Sequence, residues 1–410
     1  MAERSCEVAI IGGGAVGLSC AYALASAGVD VVVLESRTIG AGASAGTACM
    51  VSASHAERTA SPASLREGLR FLLDPQAPLK LRPRPGELGW VARFTRASLD
   101  GDGAEQGTAL LRRLAVRSTE LHQAWSDALG TGLRMNGTLN IWSGPDAAAE
   151  RAHLVEETRH AGLAIEEVDA AGVAALEPSV QGAALGALAP GDGHVDSLVF
   201  TQRVGDGARA AGCEILEGVE VIRVDRSGPR IRLVTTGGAI AADQVVVAAG
   251  VWTRRFADDL GLSLPISPAK GYHVEFAGAA ADAQRPIYFS GERCVATPLE
   301  GRIRIAGTLE IGTDPTTIDL RRVDALRDAA QRNLVGIPDE PSHVWLGLRP
   351  MSGDSMPLVG PVPNDRRVLI ASGHGMLGIT LAPATAELIA GHVTGALHEA
   401  DPLLDPARFR

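Results

Sequence analysis

The most constraining stretch of the chain lies at its start. Val8-Ala9-Ile10-Ile11 is a short apolar run of the kind that forms a buried parallel strand. Gly12-Gly13-Gly14-Ala15-Val16-Gly17 follows, and then an Ala- and Leu-rich segment from Leu18 to Ala27. That segment favours helix, with Leu18, Ala21, Leu24 and Ala25 on one face. Gly28 stands where a helix end wants a left-handed residue. Val31–Leu34 reads as a second buried strand ending at Glu35, 21 residues after Gly14. Each glycine has a separate use: Gly12 permits a tight turn, Gly14 lets a pyrophosphate approach the backbone, and Gly17 lets helix and strand pack closely. The helix N-terminus offers unpaired N–H groups to the phosphates. Glu35 is placed to accept hydrogen bonds from both hydroxyls of an adenosine ribose and to repel a phosphorylated one. A lone glycine pattern of this form is weak evidence; with strand, helix, strand and acid all present it predicts a dinucleotide-binding unit.

The 410 residues suggest two or three domains. At 46% hydrophobic and 21% charged the chain is an ordinary globular one. A net charge of −10 argues against nucleic acid as a partner. Cys6, Cys20, Cys49, Cys213 and Cys294 are dispersed, which suits neither a disulfide framework nor a zinc site, and no metal is expected. Met1–Glu7 does not read as a targeting signal, and no run reaches the roughly 18 apolar residues of a membrane span. A cytoplasmic protein is expected, with peripheral membrane contact left open. Lys80 and Lys270 are the only lysines among 38 basic residues.

Two later segments extend the same layer. Gln244–Gly250 reads as a strand entering a small-residue turn, and Val368–Ala371 as another, followed by Gly373-His374-Gly375 and an apolar helix from about Leu377 to Val393. The texture between them differs. Residues 62–100, with Pro75, Pro78, Pro83 and Pro85, suggest an irregular cover; 103–130 and 146–162 read as amphipathic helices; 270–310 alternates like antiparallel strands. The expected fold class is α/β plus α+β. A Rossmann-type unit takes residues 1–85, 190–265 and 340–410, and a substrate domain on a mostly antiparallel sheet takes 86–189 and 266–339.

The glycine turn does not separate FAD from NAD, but three further segments do. Gly40–Ala48 is a run of small residues that suits a chain passing close to a flavin, though a flexible loop fits it equally well. Val246–Thr253 is a second small-residue turn. Ser372–Thr380 opens a helix whose N-terminus, aimed at a flavin, would stabilise the reduced ring. In these segments, and in Gly347-Leu348-Arg349-Pro350, the chain resembles the D-amino acid oxidase superfamily of FAD enzymes, and within it most of all D-amino acid dehydrogenases and glycine oxidase. Together the motifs and the resemblance nominate as cofactor-binding Gly12, Gly14, Val16, Gly17, Glu35, Ser36, Arg37, Gly42, Ala43, Ser44, Thr47, Ala48, Val219, Ala249, Gly250, Trp252, Gly373, His374, Gly375, Met376, Leu377, Gly378 and Thr380. No cysteine context marks a covalent link, so non-covalent FAD is expected, with Cys294 the one thiol to inspect.

The resemblance further implies that Arg349 binds the substrate carboxylate. A guanidinium can grip it with two parallel hydrogen bonds. The residues alone equally allow a structural arginine paired with Asp354 or a backbone carbonyl. Family members often add a Tyr hydroxyl. Tyr272, at a strand entry, is the better placed candidate, and Tyr288 stays open. Lys270 reads as structural, and His374 as polarity near the flavin rather than a base. Where family loops carry Asn-Ala-Gly, this chain has Thr47-Ala48-Cys49, a departure that puts flavin contacts or substrate size in question.

The expected activity is oxidative deamination of an amino acid, most of all a D-amino acid. Hydride passes from the α-carbon to flavin N5, and the imine hydrolyses to the oxo acid. The partners implied are a small amine or amino acid and an electron acceptor (oxygen, a quinone or a protein carrier). Two alternatives share the motifs: sarcosine-type oxidation of a secondary or cyclic amine, and a flavin-carrying subunit of a larger amine dehydrogenase.

Overall fold

The computed structural model describes residues 4–70, 79–81, 84–279 and 282–409. The opening apolar runs form adjacent strands, Arg4–Ile11 and Val31–Glu35, joined by the helix Ala15–Ser26. Gly28 ends that helix at φ +84°. These strands sit at the centre of an eight-stranded sheet. Its parallel core runs Glu214–Glu217, Val31–Glu35, Arg4–Ile11, Gly238–Val247 and Asp365–Ser372. Antiparallel strands Ile231–Thr235 and Val221–Asp225 extend it beside Gly238–Val247, and Leu358–Val362 pairs with Asp365–Ser372. Val8–Ile11, Val31–Leu34, Val245–Val247 and Val368–Ala371 are apolar on both faces because both faces are covered. Helices Ala15–Ser26, Ser197–Ala210 and Gly378–Val393 pack over one of them.

The second sheet has nine strands. Along it lie His343–Ser352, Ile266–Ala277, Arg302–Ile311, Cys294–Leu299, Ile287–Phe289, Thr138–Trp142, Leu185–Ala189 and Glu166–Asp169, with Leu79–Leu81 beside Arg302–Ile311. All pairings are antiparallel except those of Ile287–Phe289 with Thr138–Trp142 and of Leu79–Leu81. The helix Leu320–Asn333 packs Val323, Leu326 and Ala330 on one face of this sheet.

Three boundary expectations are corrected. His343–Ser352, placed by sequence in the nucleotide layer, pairs along its whole length with Ile266–Ala277 in the second sheet. Its mixed, half-buried residues suit a sheet with one open face, not a fully buried parallel strand. Leu79–Leu81 likewise joins the second sheet. Conversely, the long helix Gly101–Leu129, expected in the substrate domain, buries Leu110, Leu111 and Ala115 in the first core. The cover at 62–100 includes two helices, Pro62–Arg70 and Leu88–Leu99. Pro75, Pro78 and Pro83 lie outside the described residues.

Candidate active site

The glycine turn is built by contact with the neighbouring strand. Gly12 has φ +112°, and a Cβ there would lie 2.6 Å from the Ala248 carbonyl oxygen. A Cβ on Gly17 would fall 2.0 Å from the Gly12 oxygen, so Gly17 serves helix–strand packing. The Glu35 carboxylate accepts the Gly13 N–H at Oε2 (2.8 Å) and the Arg37 N–H at Oε1 (2.9 Å). Oε1 also accepts the Ser36 hydroxyl at 3.2 Å, and Oε2 keeps a lone pair for a further donor. Gly14 caps the helix without a side chain, and Ser44 Oγ accepts the Ala15 N–H at 3.0 Å.

From this turn a cavity of about 1290 Å³ runs between the two sheets. Gly12, Gly14, Val16, Glu35, Ser36 and Arg37 line it at the first sheet. Gly42, Ala43, Ser44, Thr47 and Ala48 form one wall, and Val219, Ala249, Gly250 and Trp252 another. The segment before the last helix adds His374, Gly375, Met376, Leu377, Gly378 and Thr380. Two nominated residues do not line it: Gly17, which packs the helix, and Gly373, which turns the chain at φ +79° against Leu358. The Gly375 N–H donates to the Pro350 carbonyl (2.9 Å), tying this last segment to the strand that carries Arg349. His374 is buried, with Nε2 2.9 Å from Thr385 Oγ1, and burial pushes its pKa down to about 4. It is a neutral group in this wall.

Arg349 faces the cavity from the second sheet. Its Nη1 donates to the Thr308 carbonyl at 2.6 Å. The guanidinium crosses over Gly271, where a Cβ would lie 2.3 Å from Cζ. The Asp354 alternative does not hold, because that carboxylate is held by Arg408 at 2.7 and 3.0 Å. No acid pairs with Arg349 among the described residues, and burial alone lowers its pKa to about 10. It therefore stays cationic at neutral pH, a half-buried charge facing the cavity with no acid beside it.

The tyrosine expectation is corrected. Tyr272 borders the cavity, but its hydroxyl donates to Glu310 Oε2 (2.9 Å) and accepts the Asp319 N–H (3.4 Å). Its ring packs in the core under the helix Leu320–Asn333. Strand alternation is the cause: Gly271, next in sequence, holds the cavity face beneath Arg349. Lys270 joins the same polar cluster through Glu310 (3.0 Å) and the Asp314 and Thr317 carbonyls, which is a structural role. Tyr288 is the tyrosine that faces the cavity, with its flanking residues Ile287 and Phe289 turned into the core.

Several lining residues carried no readable signal in the sequence. Thr308 sits in a bulge, where Thr308 and Leu309 stand opposite the single residue Gly271, and it adopts φ +63°. Trp345 fits beneath the small-residue loop only because Gly46 and Gly347 lack side chains: a Cβ on either would fall 2.5 or 1.8 Å from the indole. Cys49 also has a glycine-like φ of +63°. Arg304 holds that loop, touching Cys49 Sγ (3.1 Å) and donating to the Thr47 carbonyl (3.0 Å) while paired with Glu275 (2.7 Å). Cys294 is buried on its strand, and burial pushes its thiol pKa up.

A glycine cradle that side chains would fill, a helix N-terminus whose N-cap is a glycine, a carboxylate lining the cavity beside that turn and a long adjoining cavity together fit an FAD molecule. The chain matches the DAO family, FAD dependent oxidoreductase, over residues 7–391, and it belongs to that family. It is 32% identical to a D-amino acid dehydrogenase of Methylobacterium nodulans over 96% of each chain, and 31% identical to one of Chromohalobacter salexigens over 98% of this chain and 99% of that one. Among solved structures it resembles glycine oxidase from Geobacillus kaustophilus, with a TM-score of 0.78, 26% identity and 99% of each chain covered. The expected family, fold class and cofactor are thereby shown. No described helix is long and apolar enough to cross a membrane, and no described cluster of His, Cys, Asp and Glu could hold a metal.

Proposed function

We propose that the chain oxidises the Cα–N bond of an amino acid, of the D series by its relatives' names, with Arg349 as the carboxylate anchor. One observation carries this reading: a half-buried guanidinium without an acid partner among the described residues faces the same cavity as the glycine cradle. FAD, when bound, supplies the chemistry by accepting the substrate's α-hydrogen with two electrons. The protein's own part is position and electrostatics. The Gly12–Gly17 turn and the first helical amides would hold the pyrophosphate, and Glu35 the ribose. The Gly375–Pro350 hydrogen bond supports a fixed relation between the wall before the last helix and the anchor. Arg349 orients the substrate, with its guanidinium kept in place by the Thr308 carbonyl. The oxidation needs the substrate amine neutral. His374, buried and bonded to Thr385, supplies polarity rather than a proton-accepting base.

The test is anaerobic mixing of the FAD-loaded protein with a panel of D-amino acids, L-amino acids and N-methyl amino acids, following the visible flavin absorbance. Bleaching by D-amino acids first is the expected result. Preferential bleaching by N-methyl substrates would replace this reading with the sarcosine-type one.

A further inference from the structure

We propose that the helix Leu88–Leu99 walls a subsite for the substrate's side chain and selects amino acids whose side chain is bulky and apolar, aromatic ones above all. This rests on the oxidation reading and specifies its substrate class.

Strand register places this helix beside the anchor. Arg349 pairs with Ala269, and Ala269 with Ile311, so the three share one face of the second sheet. Met351, two residues beyond Arg349 on the same strand, lies on that face too. Trp90, Ala269, Ile311 and Met351 form one buried cluster, with Val91, Phe94 and Leu309 packed against it. The Trp90 indole N–H donates to the Met351 carbonyl at 2.9 Å, which fixes the helix to the strand that carries Arg349. Two residues of strand span roughly 7 Å. An amino acid held by its carboxylate at about 2.8 Å covers that distance with the first atoms of its side chain.

The surface offered there is apolar. Trp90, Val91, Phe94, Leu65, Leu309 and Ile311 all line the cavity. Phe94 stacks on Trp90 with ring centroids 4.9 Å apart and planes at 21°, a flat aromatic surface. Val91, Phe94, Leu65 and Leu309 are only half-buried. An apolar side chain laid against them removes both partners' surface from water. The arginines of the helix, Arg93 and Arg96, lie on its exposed side.

The charges that border this wall are already paired. Lys80 and Arg321 also line the cavity, and Asp319 holds them at 3.2 and 2.9 Å. Lys80 lies 3.6 Å from the buried Glu310 as well, which ties it to the polar cluster around Tyr272. A charged side chain entering beside Trp90 and Phe94 gives up its hydration and meets no unpaired counter-charge among the described residues of the wall, whereas an apolar one loses nothing.

The experiment uses the FAD-loaded protein. Binding of 3-phenylpropionate is compared with that of propionate, which has the same carboxylate and lacks the ring, by perturbation of the flavin spectrum. Anaerobic reduction by D-phenylalanine is compared with reduction by D-alanine and by D-glutamate. The proposal predicts a preference of roughly tenfold or more for the aromatic member, the scale of burying one such side chain. Phe94→Ala should shrink the preference several-fold, with the loss falling on 3-phenylpropionate and retained flavin reporting the fold. Val91→Ala, a milder change in the same wall, should shrink it in the same direction, and Phe94→Leu should keep most of it. Equal affinity for 3-phenylpropionate and propionate overturns the proposal, as does a preference that survives intact in both alanine variants. If 3-phenylpropionate binds preferentially and no amino acid bleaches the flavin, the oxidation reading fails and the apolar subsite stands.

Discussion

Gly271 lies directly beneath the Arg349 guanidinium, so closely that a Cβ on Gly271 would come within 2.3 Å of Arg349 Cζ. The two residues sit on paired strands, and the absent side chain lets the arginine reach across to the Thr308 carbonyl. Gly271→Ala should therefore displace the guanidinium without touching the glycine turn. Carboxylate affinity should drop by about tenfold or more, the loss of a charge-assisted hydrogen bond, with flavin content unchanged. Spectral titration with valerate measures the first and the absorbance ratio of the purified protein the second.

Arg349→Met removes the proposed carboxylate anchor outright. The loss should be about 2–5 kcal/mol of substrate binding, as for truncating one partner of a buried charge pair. Reduction kinetics should show it mainly as a raised half-saturation concentration. Unchanged affinity for carboxylate substrates would reassign the anchor.

Glu35 braces the Gly13 and Arg37 amides and faces the cavity. Glu35→Arg should weaken both the turn and the ribose contact, giving protein that loses FAD on gel filtration. Full flavin content would remove Glu35 from the cofactor site.

Four histidines are buried with depressed pKa values: His122, His194 and His374 at about 4 and His273 at about 3. Burial is the leading cause in each. The folded state holds them neutral, while the unfolded chain protonates them near 6.5. Their contribution to stability is therefore present above pH 6.5 and is lost as pH falls toward 4. The slope is up to about 1.4 kcal/mol per pH unit for each group. Denaturant unfolding at pH 7.5 and 5.0 measures it, and His374→Gln should flatten the difference.

The nucleotide half was largely legible because its constraints are local. A turn that must admit a phosphate needs glycines at fixed spacing, and Glu35 follows one helix later. The substrate half was less so. Tyr272 and Tyr288 look alike in sequence, and only the strand register, with Gly271 on the cavity face, tells which one faces the site. Thr308 and Cys49 adopt left-handed backbone that their residue types disguise. His343–Ser352 was misplaced because Gly-Leu-Arg-Pro signals its anchor but not its strand partners, which are set by pairing with Ile266–Ala277.

The most direct test of the whole account is an anaerobic titration of the purified, yellow protein with a D-amino acid, run beside Arg349→Met. The account predicts full bleaching of the wild-type flavin and, in the variant, retained flavin that bleaches only at far higher substrate concentration. A colourless protein that takes up no FAD, or a variant reduced as readily as the wild type, would contradict it.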